Sequence, residues 1–172
     1  IIIAASSMPV QLMPNTSCMV QKLIETSRNI PAFDISVACS GLVYGLDIAN
    51  SYIRSGLYKN ILLVTMDNCS RYLDWTDRRT SILFGDGIGA MVITAGDEND
   101  ILSIDIKADG KVGDYISMPV QKGNCPFVDK APTLQFLDMK GQDVYKFVAN
   151  IIPSYITDDI LNKNDIEVND VD

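Results

Sequence analysis

Between residues 33 and 56 the apolar side chains change their spacing, and this change constrains the fold more than any other feature of the chain. Phe33, Ile35 and Val37 alternate with Asp34, Ser36 and Ala38, the period of a strand. After Cys39 the spacing becomes three and four. Leu42, Val43, Leu46, Ala49 and Ile53 then form one face of a helix, with Gly56 as its C-terminal stop. Residues 61–66 (ILLVTM) follow as a continuous apolar run of strand length, suited to burial on both faces. Strand, helix and strand in this order predict a crossover unit of an α/β fold.

Cys39 falls at the junction of the two periods, at or just before the first helical turn. Unpaired backbone N–H groups there carry a partial positive charge, which favours a thiolate and can hold the oxyanion of a thioester under attack. Ser40 and Gly41 leave room for a substrate to approach. Two readings of Cys39 stand at this point, a nucleophile and a buried structural cysteine.

Composition narrows the function. The chain has 172 residues, enough for one domain with a sizeable core, and its 47% hydrophobic and 21% charged residues describe a globular protein. A net charge of −8 repels phosphate backbones, so nucleic acid is not an expected partner. Cys18, Cys39, Cys69 and Cys125 show no CxxC pair or regular spacing, so neither a zinc site nor a disulfide framework is expected. Reduced thiols and the lack of an apolar run of membrane-spanning length, about 20 residues, predict a cytoplasmic protein without a membrane segment. The chain contains no histidine, which excludes a cysteine–histidine dyad within it.

Residues 1–5 are apolar from the first position, the pattern of a buried strand with sequence expected upstream of it. Asn15, Thr16 or Ser17 is expected to cap a helix running to about Thr26, with Cys18, Val20 and Leu23 or Ile24 facing inward. Residues 67–80 hold the one basic and aromatic cluster of an acidic chain: Arg71, Arg78 and Arg79 with Tyr72 and Trp75. It suits a phosphate and a stacked adenine, or else forms a solvated loop paired with Asp74 and Asp77. FGDGIGA at residues 84–90 lacks the spacing of a nucleotide loop, and its glycines read as packing ahead of an apolar strand over 91–93. Residues 101–107 and 133–138 read as extended, and 108–132 as a long loop. A helix is expected from Gly141, separated by Pro153 from a second one reaching about Asn162.

The stretches DISVACSGLVYGLDIANSYIRSG and DWTDRRTSILFGDGIGAMVI, in that order and at that separation, resemble the β-ketoacyl-acyl-carrier-protein synthase III family, condensing enzymes of the thiolase superfamily. The resemblance implies a thiolase-like layered α/β fold, incomplete in this chain, with residues 1–172 forming part of one condensing-enzyme domain and no internal boundary. It implies that Cys39 accepts an acyl group from acyl-coenzyme A and passes it to a carbanion derived from malonyl-acyl-carrier protein, in a homodimer with no cofactor beyond the thioester substrate. Arg78 matches a family arginine that contacts coenzyme A, whereas arginine is unusual at the position of Arg79. Phe84, Met139, Gly141 and Tyr145 fall on positions near the acyl pocket, and Met13 on one that lies near the partner subunit's pocket. For Met13, Met139 and Tyr145 an ordinary core or loop role is the other reading.

The family's catalytic histidine and asparagine have no counterpart in this chain, so it is expected to be an internal fragment of about half of a condensing enzyme, inactive alone in condensation. The alternatives are a hydroxymethylglutaryl-coenzyme A synthase or secondary-metabolite acyltransferase of the same superfamily, a non-catalytic partner subunit, and a cysteine-based redox protein. The last is disfavoured by the lack of a nearby resolving cysteine.

Overall fold

The computed structural model describes residues 1–25, 29–97, 101–118 and 136–171. They divide into two compact units, Ile1–Asn68 with Asp86–Ile106, and Cys69–Gly85 with Lys107–Asp172. Among the described residues no helix is long and apolar enough to cross a membrane.

The first unit is built on a four-stranded sheet of order β2-β1-β3-β4. β1 (Ile2–Ala5) runs parallel to both β2 (Ala32–Ile35) and β3 (Asn60–Asn68), and β4 (Asp86–Thr94) is antiparallel to β3. Helix α1 (Thr16–Leu23) connects β1 to β2, and α2 (Gly41–Arg54) connects β2 back to β3. The expected crossover is therefore present twice. Because the two crossovers travel in opposite directions along the sheet, the right-handed rule puts their helices on opposite faces.

Burial explains why these segments became strands. Ile2, Ile3, Ala4 and Ala5 are all less than 5% exposed, as a central parallel strand covered on both faces must be. Ile61 and Leu63 of β3 join Ile3 and Ala49 in the core, with Phe33, Leu46, Tyr52, Ile53 and Tyr58 packed against them. The rings of Tyr52 and Tyr58 meet edge to face at 5.5 Å. Gly56 ends α2 as expected, at a φ of +73° that favours glycine.

Two glycines set how close α2 lies to the sheet. A Cβ on Gly41 would stand 2.8 Å from the Ala5 Cβ, and one on Gly45 would stand 2.5 Å from Leu63 Cδ1. The helix therefore rests on β1 and β3 through backbone where a side chain would hold it off.

Several expectations need correction. Asn15 occupies the N-cap position of α1 but its side chain makes no capping bond; the N–H groups of Thr16 and Ser17 donate instead to the two Asp34 carboxylate oxygens, at 2.7 and 2.9 Å. A carboxylate from β2, eighteen residues or fewer along the chain, thus supplies the cap and complements the helix dipole. α1 buries Thr16 and Ser17, half-buries Cys18 and Val20, and leaves Leu23 and Ile24 exposed, so its inward face lies one turn earlier than the apolar residues suggest. The strand expected over 101–107 is absent: the alternation is there, but no described strand runs beside it to complete its backbone hydrogen bonds. Thr26, Cys125, most of the expected loop over 108–132 and residues 133–135 lie outside the described residues.

The second unit carries α3 (Arg78–Ser81), the short antiparallel pair β5 (Ile116–Ser117) and β6 (Asp138–Met139), and α4 (Gly141–Tyr155). α4 begins where expected but runs through Pro153, widening into a π-helical turn only at Ile156–Leu161. Proline removes one N–H, yet Val144, Phe147, Ile152 and Tyr155 line one half-buried face across it, and that packing outweighs the single lost bond. Lys107 stands 4.6 Å from the Tyr155 ring centre and pairs with Asp159, which also takes Lys163 at 2.6 Å. At the start of α3, Asp77 caps the helix by accepting from the Arg79 N–H at 3.0 Å, and its carboxylate grips the Arg79 guanidinium through Nε and Nη2.

Two predictions test this architecture. Gly41→Ala is expected to lower the urea midpoint by the equivalent of about 1–3 kcal/mol, although helix propensity alone favours alanine. An unchanged midpoint would contradict the close approach of α2 to β1. The Arg79 side-chain bond, with the backbone bond second, lowers the Asp77 pKa from 3.8 to about 2. A depressed carboxyl stabilises the cap fully above the unfolded value and loses that contribution as pH falls through the folded one. An NMR titration of the Asp77 carboxyl is expected to give a midpoint near 2, moving part of the way back toward 3.8 in Arg79→Ala; a wild-type midpoint at 3.8 would contradict the bidentate cap.

Candidate active site

β2 ends at Ile35, and the chain turns through a short 3-10 segment, Ala38–Ser40, before α2 begins at Gly41. Cys39 sits at the middle of that segment and is exposed. Its neighbour Ala38 has a φ of +49°, a left-handed conformation that costs a residue with a Cβ about 1–2 kcal/mol. The turn closes with Ser40 N–H donating to Val37 O at 3.3 Å and Gly41 N–H donating to Ala38 O. The result is a sharp elbow that presents a thiol at the mouth of a helix.

A cavity of about 230 Å³ opens beside the thiol. Ala5 of β1 and Thr65, Met66 and Asp67 of β3 form its floor, with Ala38, Cys39, Gly41 and Leu42 on one side and Gly87, Ile88 and Gly89 of β4 on the other. It lies at the C-terminal ends of β1 and β3, the two strands between which the chain order reverses, and such crevices are where open α/β sheets bind ligands. The glycines of FGDGIGA take part differently from expectation. β4 already includes Gly87 and Gly89; a Cβ on Gly89 would just touch Thr65 Oγ1 at 3.5 Å, and one on Gly87 would meet nothing within 4 Å. At Gly87 the missing side chain leaves space in the cavity and is not needed for packing.

Three residues that sequence reasoning passed over shape the elbow. Ala38 N–H donates to Ser7 Oγ at 2.7 Å, and Ser7 Oγ lies 3.1 Å from Ser36 Oγ. Asp67 Oδ1 accepts from the Ser7 N–H at 3.0 Å, from the Met8 N–H at 3.1 Å and from Ser6 Oγ at 3.4 Å. These bonds join positions 29 to 61 residues apart, and no local spacing marks them.

Of the other sequence-predicted residues, Met13 precedes a cis bond to Pro14, is 86% exposed and does not line the cavity. Arg78, Phe84, Met139, Gly141 and Tyr145 belong to the second unit. Met139 and Gly141 meet there at the β6–α4 junction, where Met139 Cε would lie 3.6 Å from a Cβ on Gly141. Tyr145 lies one turn further along α4 and is largely exposed. Arg78 and Arg79 divide their roles: Arg79 is held by Asp77, whereas the exposed Arg78 forms no ion pair among the described residues. Trp75 of the same loop donates from its indole N–H to Ser70 O at 3.2 Å and keeps its ring exposed. Among the described residues no cluster of three or more metal-binding side chains occurs.

Comparison with known proteins agrees with this geometry. The family profile described as 3-Oxoacyl-[acyl-carrier-protein (ACP)] synthase III matches residues 33–110, the segment carrying the elbow, α2, β3 and β4. The β-ketoacyl-[acyl-carrier-protein] synthase III of Thioalkalivibrio sulfidiphilus is 38% identical over 173 residues, covering all of this chain and 52% of that protein. The crystal structure of 3-oxoacyl-[acyl-carrier-protein] synthase III from Aquifex aeolicus VF5 superposes with a TM-score of 0.79 at 35% identity, covering 96% of this chain and 49% of that one. For the synthase III of Pseudomonas aeruginosa PAO1 the TM-score is 0.81 at 31% identity, over 98% of this chain and 50% of the other. The chain thus spans about half the length of the curated relatives it matches and shares their thiolase-like fold over that half. From the elbow at Cys39, the sheet that carries it and these likenesses together, the chain belongs to the β-ketoacyl-acyl-carrier-protein synthase III family.

Proposed function

We propose that Cys39 is the acyl acceptor of a condensing enzyme that takes its primer from acyl-coenzyme A and its extender from malonyl-acyl-carrier protein. The observation that carries this reading is the exposed thiol on a strained elbow at the start of α2, facing a cavity whose far side is Gly87, Ile88 and Gly89. The Cys39 thiolate attacks the thioester carbonyl, a new carbon–sulfur bond forms, and the tetrahedral oxyanion collapses with expulsion of the coenzyme A thiolate, which takes a proton from solvent. No cofactor is required beyond the thioester itself.

Condensation asks for more. Loss of carbon dioxide from the malonyl thioester leaves an enolate that needs hydrogen-bond donors, and in a chain without histidine an imidazole for that purpose has to come from outside these 172 residues. The acyl-accepting half is the half for which this chain holds the groups. Arg78, exposed and unpaired among the described residues, is the side chain here suited to a phosphate of coenzyme A, with the exposed Trp75 ring beside it in sequence for an adenine. Phe84, Met139, Gly141, Tyr145 and Met13 are proposed as acyl-pocket residues on the strength of the family resemblance. Cys18, Cys39 and Cys69 stand as thiols and not as disulfides, which suits a reducing cytoplasmic setting.

A homodimer is part of the same reading. β4 pairs with β3 on one side only among the described residues, and it exposes Ile88, Met91 and Val92. An open edge of nine residues with apolar side chains calls for a partner strand, and a second copy supplies one.

Two measurements test the reading. Intact mass after incubation with a short-chain acyl-coenzyme A is expected to rise by one acyl group, with an equal release of coenzyme A thiol, and Cys39→Ala is expected to abolish both. No adduct on the wild-type protein, as a non-catalytic partner subunit would give, would contradict the proposal. Sedimentation is expected to show a dimer over the micromolar range; a monomer throughout would remove the homodimer.

A further inference from the structure

We infer that Ser7 and Asp67 are positioning residues that hold the Cys39 elbow in its reactive geometry, a reading that rests on Cys39 as acyl acceptor. The elbow needs holding. Ala38 at a φ of +49° is strained by about 1–2 kcal/mol relative to its alternatives, and such a conformation persists only where its surroundings impose it. The side-chain bond that reaches Ala38 comes from its own N–H to Ser7 Oγ, at 2.7 Å. Ser7 is fixed in turn at its backbone, where Asp67 Oδ1 accepts from the Ser7 and Met8 N–H groups as the chain leaves β1. The Ser36 hydroxyl, 3.1 Å from Ser7 Oγ, completes the hydroxyl's surroundings on the side of β2.

The chain of bonds therefore runs from a carboxylate on β3, through the loop after β1, to the residue preceding the nucleophile. Asp67 lines the same cavity as Cys39, and its Oδ1, engaged by backbone and by Ser6, places the loop. Ser7 touches the elbow without touching the sheet ladder. Removing its hydroxyl frees Ala38 to relax while β1, β3 and α2 keep their packing. The reaction sensitive to such a release is acyl transfer, which needs the sulfur and the oxyanion-binding N–H groups in register about one carbonyl. Alkylation by a small reagent needs an exposed thiolate and little else.

The experiment compares these two reactions at Cys39 in the whole protein: acylation by a short-chain acyl-coenzyme A and alkylation by iodoacetamide. Ser7→Ala and Ser7→Val are expected to slow acylation roughly ten- to a hundredfold, with alkylation within about threefold of wild type. Ser7→Thr, which has the shape of valine but keeps the hydroxyl, is expected to restore acylation to within about threefold. Wild-type acylation in Ser7→Ala and Ser7→Val, a parallel fall in both reactions, or a threonine variant no better than valine would each overturn the inference. The Ala38 amide in the wild-type protein supplies a reading that needs no variant: it is expected to be protected from hydrogen exchange, and exchange at the rate of a free amide would overturn the linkage. A wild-type protein that takes up no acyl group while protecting this amide would remove the acyl-acceptor reading alone.

Discussion

The absence of a side chain at Gly41 and Gly45 is the constraint on which the first unit depends. With a Cβ at either position α2 would strike Ala5 or Leu63, and the N-terminus of the helix would lift from the sheet. The consequences run outward from that contact. Ala49 and Leu46 reach the core formed with Ile3, Ile61 and Leu63, the strands β1 and β3 lie flush beneath the helix, and Cys39 is presented over their C-terminal ends. On the proposed reading the nucleophile stands just before a helix that rests directly on two parallel strands, so rigid elements place it, and rigid placement is what a reaction dependent on orientation requires.

The parts of this arrangement that could be read in the sequence are those that leave a periodic trace. The change from alternation to a spacing of three and four located α2 and put Cys39 at its start, and Gly56 marked its end because the chain there needs a positive φ. The apolar run over 61–66 became the centre of β3 because burial on both faces selects for such runs. What the sequence concealed depends on long-range bonds. Asp34 caps α1 from a neighbouring strand, and Ser7 holds Ala38 from 31 residues away, so neither bond alters the spacing of nearby residues. The misread segments fail for the complementary reason. Residues 101–107 have a strand's alternation without a strand among the described residues to pair with, and Pro153 carries a helix breaker's signal inside a helix whose packed face extends on both sides of it.

The two units contribute different kinds of residue. The sheet unit holds the thiol, the cavity side of Gly87, Ile88 and Gly89 and the hydrogen-bonded elbow, whereas the second unit holds Arg78, the exposed Trp75 ring and the Met139–Gly141 junction. On the proposed reading the first supplies bond making and the second supplies recognition of coenzyme A and the acyl chain. The curated relatives are about twice as long as this chain, and these 172 residues contain no histidine.

The central claim is that one thiol of four, Cys39, is the acyl acceptor, and peptide mapping of the acylated protein tests it most directly. After brief exposure to a short-chain acyl-coenzyme A at neutral pH, the acyl group is predicted on the peptide carrying Cys39, with Cys18, Cys69 and Cys125 unmodified. An acyl group on any of those three in preference to Cys39, or spread equally among the four, would contradict the account, because the elbow would then confer no reactivity that an ordinary thiol lacks.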